Sequence, residues 1–159
     1  MDSRILTAEA GLHRTRLLLG LTNGAAVIAW ADARILELAD VPAALIEVAT
    51  TPPDDLSALR HALLPLADQI ESPALVEQIL RDVAGDLVAG RRSPADTTTV
   101  LSQMRRMLPL PGAVDTELDG LIDTLMLAEV GIGASLHEAT DAVVAWAQAY
   151  ATGARSAAG

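Results

Sequence analysis

Three aspartates, Asp115, Asp119 and Asp123, recur at i, i+4 and i+8. On a helix that spacing puts three carboxylates on one stripe. Such a row could hold a divalent cation through oxygen ligands, or present an acidic strip to an Arg-rich partner. Glu129 lies further along the same segment, at the helical angle of Leu118, Ile122 and Leu125. A carboxylate on that apolar side must find donors or stay protonated, because an unpaired buried charge is very costly. The free amides of the next helix, six residues on, would supply donors. A structural clasp across the Gly131–Gly133 turn is the preferred reading, and a base of raised pKa in an apolar pocket is the functional alternative. His137 and Asp141 stand one turn apart on the following segment and could ligate one ion. Asp115, Asp119, Asp123, Glu129, His137 and Asp141 thus form the candidate metal or acidic binding strip.

The case against catalysis is also written in spacing. His13, His61 and His137 are far apart, and none belongs to an HExxH array. Cation sites usually draw ligands from several elements, and no second carboxylate helix with an ExxH pattern is present. Solvated polar faces account for the Asp stripe and for the His137/Asp141 pair. Gly131-Ile-Gly133-Ala-Ser135 resembles an anion-cradling turn only superficially, since no strand precedes it and the chain contains no lysine. No GxSxG elbow occurs. Arg91-Arg92 and Arg105-Arg106 fall at opposite ends of an expected helical hairpin, each near a helix C-terminus where positive charge is favoured. Trp30 and Arg34, one turn apart, are expected to stack as a structural cation–π pair. No catalytic residue and no cofactor are assigned.

The elements that must position these residues all read as helices. Asn23–Asp40 places Val27, Ile28, Ala31, Ile35 and Leu38 on one face, while Trp30 and Leu36 lie outside it. A helix apolar over most of its circumference is expected to be the covered, central element, capped by Thr22 or Asn23. Before it, a short basic helix over about 7–19 ends at Gly20. After it come a helix from Pro42 to Ala49, one started by Thr51-Pro-Pro-Asp54 and broken at Pro65, and two opened by Ser72-Pro73 and Ser93-Pro94. Leu108-Pro-Leu-Pro-Gly112 breaks the chain, but it is too short for a domain linker. A helix over 114–130 and one over 135–151 complete the set, the second opened by the capping box Ser135–Glu138 and burying Leu136, Ala139, Val143, Trp146 and Tyr150. The expected fold is all-α, a single-domain bundle of about eight helices over 1–152, with a flexible tail at 153–159. The 114–130/135–151 hairpin is expected to pack on the central helix.

Composition narrows the function classes. Half of the 159 residues are apolar, phenylalanine is absent, and every basic residue is arginine. The core must be aliphatic, with alanine at helix crossings, and the Arg/Ala bias suggests a GC-rich bacterial genome. The net charge of −10 repels nucleic acid and anionic membrane surfaces and suits a basic partner. Without cysteine there is no disulfide framework, thiol nucleophile or cysteine zinc site. No apolar run approaches the roughly 20 residues of a membrane span, and MDSRILTAEAG lacks the apolar region of a signal peptide. A cytoplasmic protein is expected.

Leu17–Ile35, LLLGLTNGAAVIAWADARI, with the Pro42–Glu47 helix start, and Leu127–Ala147, LAEVGIGASLHEATDAVVAWA, together resemble a loosely defined group of small all-helical bacterial proteins of unknown function. The shared features are helix caps and a glycine turn. The resemblance implies the fold and transfers no catalytic residue. The expected function is a non-enzymatic protein–protein interaction or regulatory module, of which an immunity-type partner of a basic protein is one form. The partner is another protein, with a homodimer as a further option, and neither nucleic acid nor membrane. The alternative is a metal-dependent hydrolase or small-ligand-binding protein using the carboxylates of the 114–141 hairpin.

Overall fold

Polar caps and glycines set where each helix starts and stops. In the computed structural model, which describes residues 3–67 and 73–154, Asn23 Oδ1 accepts the Ala26 amide and Ser93 Oγ accepts the Asp96 amide. Ser135 and Glu138 form the full reciprocal capping box. Each device satisfies amide donors that the first helical turn leaves without partners. The helix expected to start at Thr51–Asp54 is instead capped by Asp55, whose Oδ1 accepts the Ala58 amide. Ser72, the expected cap of the fifth helix, and residues 155–159 of the expected tail lie outside the described residues.

Eight helices and no strand result among the described residues, so the protein is all-α. They group into two compact units, Met1–Ile70 and Glu71–Gly159. The first contains α1 (Ser3–Leu18), α2 (Gly24–Glu37), α3 (Ala43–Thr50) and α4 (Leu56–Ala62). There α2 packs on α3, α3 on α4 and α4 on α1. Ala10, Leu17, Val27, Ala31, Leu45, Val48, Leu59 and Leu63 form its aliphatic core. Thr15 is fully buried, and its hydroxyl donates to the Gly11 carbonyl one turn earlier, so no polar atom of that side chain is stranded.

Within this unit α2 is not covered all round. Val27 and Ala31 are buried and Ile28, Trp30, Ile35 and Leu38 are partly so, whereas Ala25, Ala26, Ala29, Ala33 and Leu36 face solvent. Four of those five exposed residues are alanines, which leave little area needing burial; of the two residues on which the expectation of cover rested, Trp30 is partly buried and Leu36 is exposed. The start of α2 does make one close approach. A Cβ added at Gly24 would stand 2.0 Å from the Pro53 carbonyl oxygen and 2.7 Å from Leu59 Cδ1.

The second unit contains α5 (Pro73–Val88), α6 (Pro94–Met107), α7 (Gly112–Glu129) and α8 (Leu136–Ala151). α5 packs most extensively on α8, α6 on α7, and α7 on α8. Ile79, Leu80 and Val83 on α5, Leu101 and Met104 on α6, Leu118 on α7, and Val143, Ala147 and Tyr150 on α8 are essentially removed from water. Trp146 and Tyr150 lie ring against ring at a centroid distance of 5.1 Å. Pro109–Pro111 serves as the turn between α6 and α7 inside this unit. Among the described residues no helix is long and apolar enough to cross a membrane.

Candidate functional site

The Asp stripe of α7 already has a basic partner, and it is intramolecular. Arg105, in the last turn of α6, donates from Nε to Asp115 Oδ1 at 2.7 Å and from Nη2 to Asp115 Oδ2 at 3.3 Å. Its Nη1 is paired with Asp119. The cation sits at a helix C-terminus and Asp115 in the first turn of α7, so both charges are also favoured by their helix dipoles. The guanidinium hydrogen bonds hold the Asp115 carboxyl below the usual carboxylate range, against its slight desolvation. Two members of the candidate strip thus clasp α6 to α7. Asp123, one turn further on, is exposed.

The remaining candidates do not join them. His137 Nε2 and Asp141 Oδ2 are 3.3 Å apart on the exposed face of α8. Among the described residues no three His, Cys, Asp or Glu side chains gather where one ion could be held. The alternative reading required the carboxylates of 114–141 to converge on one ion, and no such cluster is present among the described residues.

Glu129 corrects an expectation. It is exposed, and the donors at the start of α8 go to Glu138, whose Oε2 accepts the Ser135 amide at 2.9 Å and the Ser135 hydroxyl at 2.8 Å. Helical angle placed Glu129 correctly on the Leu118 stripe, but it is the last residue of α7, where cover has run out. Ala128 takes the final buried position, packed with Leu125 and Ala139. Leu136, expected in the core, is likewise exposed.

What lies at this end of the hairpin is apolar and open. Met126, Leu127, Val130, Ile132 and Leu136 are between 46% and 69% exposed, an unusual concentration within eleven residues. The turn that presents them is rigidly specified. Ile132 donates to the Leu127 carbonyl at 2.8 Å and Gly131 to the Ala128 carbonyl at 3.1 Å. This paired closure of a helix end needs a left-handed residue, which Gly131 supplies with φ 76°. Charges around the tip are mainly acidic: Asp123 and Glu129 on α7, and Glu138 and Asp141 on α8, with His137 the one basic type. The signal for this site was present in the sequence. Leu127 stands opposite Leu118 on the helical wheel, so the last turn of α7 is apolar on both sides.

Comparison with protein-family models, curated proteins and solved structures gives no match to this chain. Function must therefore be argued from the geometry.

A second constellation joins α1 to α2. Glu9 accepts hydrogen bonds from Trp30 Nε1 at 3.0 Å, Arg34 Nε at 2.7 Å and Arg34 Nη2 at 2.8 Å. Arg34 is also paired with Glu37. Burial alone would raise the Glu9 pKa, but the hydrogen bonds from Arg34 and Trp30, with the nearby positive charge, hold it below its ordinary value. Trp30 stacks on His13, ring centroids 4.7 Å apart, rather than on Arg34 as expected. Burial, helped by Arg16 and Arg34 and opposed by Glu9, pushes His13 down to about 4. A neutral imidazole on an indole, beside a bidentate Arg–Glu pair, is a helix–helix clasp. Trp30 Nε1 and Arg34 Nε, Nη1 and Nη2 are all directed at Glu9 or Glu37, while His13 Nδ1 is buried without a hydrogen-bond partner.

Proposed function

We propose that the protein is a non-catalytic interaction module that binds a basic, amphipathic protein segment at the tip of the α7–α8 hairpin. The observation that carries this reading is the exposed cluster Met126, Leu127, Val130, Ile132 and Leu136, set on a closed turn and flanked by carboxylates. Buried apolar anchors supply most of the energy of such contacts, while a charged rim steers encounter and selects the partner. An apolar stripe edged with arginine or lysine complements this surface. The net charge of −10 acts in the same direction over a longer range, and disfavours nucleic acid and anionic lipid as partners. The acidic rim also disfavours two tips meeting in a homodimer. A bacterial, cytoplasmic setting belongs to the same reading.

The test is a fluorescence-anisotropy titration with a labelled Leu/Arg amphipathic helical peptide. Binding should be saturable, weaken with salt, and fall at least about tenfold in Val130→Asp and Ile132→Asp, a loss of about 1.4 kcal/mol. Both positions are exposed, so circular dichroism should be unchanged. Equal binding by wild type and both variants would reduce the interaction to attraction between net charges and defeat the proposal.

A further inference from the structure

We infer that the cleft between α1 and α4 binds a phosphate monoester carried on an apolar body. The cleft has a volume of about 560 Å³, opens widely to solvent, and is lined by Arg14 and Leu18 from α1, by Asp55 at the cap of α4 with Arg60 and His61 on it, and by Leu64 just beyond its end. Two arginines from different helices therefore face one space. In a chain with 21 acidic residues against 11 basic ones, Arg34, Arg81, Arg91, Arg92 and Arg105 are each matched to a carboxylate.

Arg14 and Arg60 differ. Arg14 Nε is buried and has no hydrogen-bond partner. A buried guanidinium donor left without an acceptor costs free energy that an incoming anion would recover. Arg60 Nε donates to the Leu56 carbonyl at 3.0 Å, which fixes the side chain without neutralising it. Asp55, the one acid of the lining, accepts the Ala58 amide through Oδ1 and keeps its negative charge. The lining thus holds two guanidinium groups against one carboxylate, a positive balance in an otherwise acidic chain, and His61 beside them can add a third donor.

Ligand class follows from charge, donor geometry and size. Guanidinium forks match the paired oxygens of phosphate, and two of them suit a dianion better than a single carboxylate. The volume exceeds that of a bare phosphate, and Leu18 and Leu64 provide apolar surface for the remainder of the molecule. This site lies in the first unit and does not depend on the hairpin tip.

The experiment follows the arginine Nε–H resonances of the whole chain while phenyl phosphate, inorganic phosphate or benzoate is added. Phenyl phosphate should shift Arg14 and Arg60 saturably. Its affinity should exceed that of inorganic phosphate and of benzoate severalfold, and should drop at least about tenfold in Arg60→Gln and in Arg14→Gln. Arg60→Gln keeps the inference testable if Arg14→Gln disturbs folding, because the Nε of Arg14 is buried whereas the Nε contact of Arg60 is exposed. Absence of a saturable shift, or binding unchanged in Arg60→Gln, would overturn the site. Benzoate or inorganic phosphate binding as tightly as phenyl phosphate would overturn the assigned ligand class.

Discussion

Glu9 and His13, one turn apart on α1, respond to acid in successive pH windows. An unfolded histidine takes up a proton near 6.5, whereas His13 in the fold does so only at about 4. Between those values the unfolded chain binds more protons, so stability falls as pH falls from 6.5 to 4. Glu9 has the usual carboxylate sign: its folded pKa is depressed below 4.5, so its contribution is present above 4.5 and lost as pH falls through the lower folded value. In urea unfolding between pH 7 and 4, the His13 contribution should reach about 1–2 kcal/mol once solvent screening is counted. His13→Phe should remove that slope while keeping the drop below pH 4.5, and the imidazole protons of His13 should titrate near 4 by NMR. A His13 midpoint near 6.5 would contradict the burial argument. The sequence made local pairings legible at this scale, such as Ser135 with Glu138, because three-residue spacing on a helix start fixes who can reach whom. It did not reveal Glu9, whose partners Trp30 and Arg34 are 21 and 25 residues away. The Trp30/Arg34 spacing suggested a direct stack; it could not show that α1 would insert both a carboxylate and an imidazole there.

At the scale of the element, one substitution should have opposite signs at two glycines. Gly24→Ala drives a methyl into the Pro53 carbonyl and Leu59, and backbone cannot easily yield. It should destabilise by about 1–3 kcal/mol, as overpacking does. Gly120 lies within α7 with nothing within 4 Å of an added Cβ. Gly120→Ala should therefore stabilise by about 0.5–1 kcal/mol through backbone entropy alone. Chemical denaturation of the two variants checks the pair, and two changes of the same sign would contradict the described packing. Helix number and most inward stripes were readable from apolar recurrence; Val100, Leu101, Met104 and Leu108 on and just after α6 are all buried as expected. Glu129 and Leu136 were misplaced for a common reason. A helical wheel gives direction but not the point along the axis where the neighbouring helix stops covering it. The candidate site was accordingly looked for among carboxylates, while Leu136 was assigned to the core and Ile132 to the turn.

For the whole molecule, all-α character was legible because no alternating segment competes with the helical periodicity, and every helix in the structure corresponds to an expected one. The grouping into Met1–Ile70 and Glu71–Gly159 was not legible. The most conspicuous break, Leu108–Gly112, joins two helices of one unit, since a short proline turn suits an antiparallel pair. The metal alternative needed distant carboxylates to converge, and Arg105 takes two of them out of that competition. What remains, among the described residues, is an acidic helical protein with a concentrated apolar surface at the Gly131–Gly133 turn. The most direct measurement is a map of backbone amide shifts when the Leu/Arg amphipathic peptide is added to the intact chain at moderate salt. The account predicts saturable shifts concentrated over residues 126–136, at the hairpin tip. Shifts spread over the other acidic faces, with residues 126–136 silent, would contradict it.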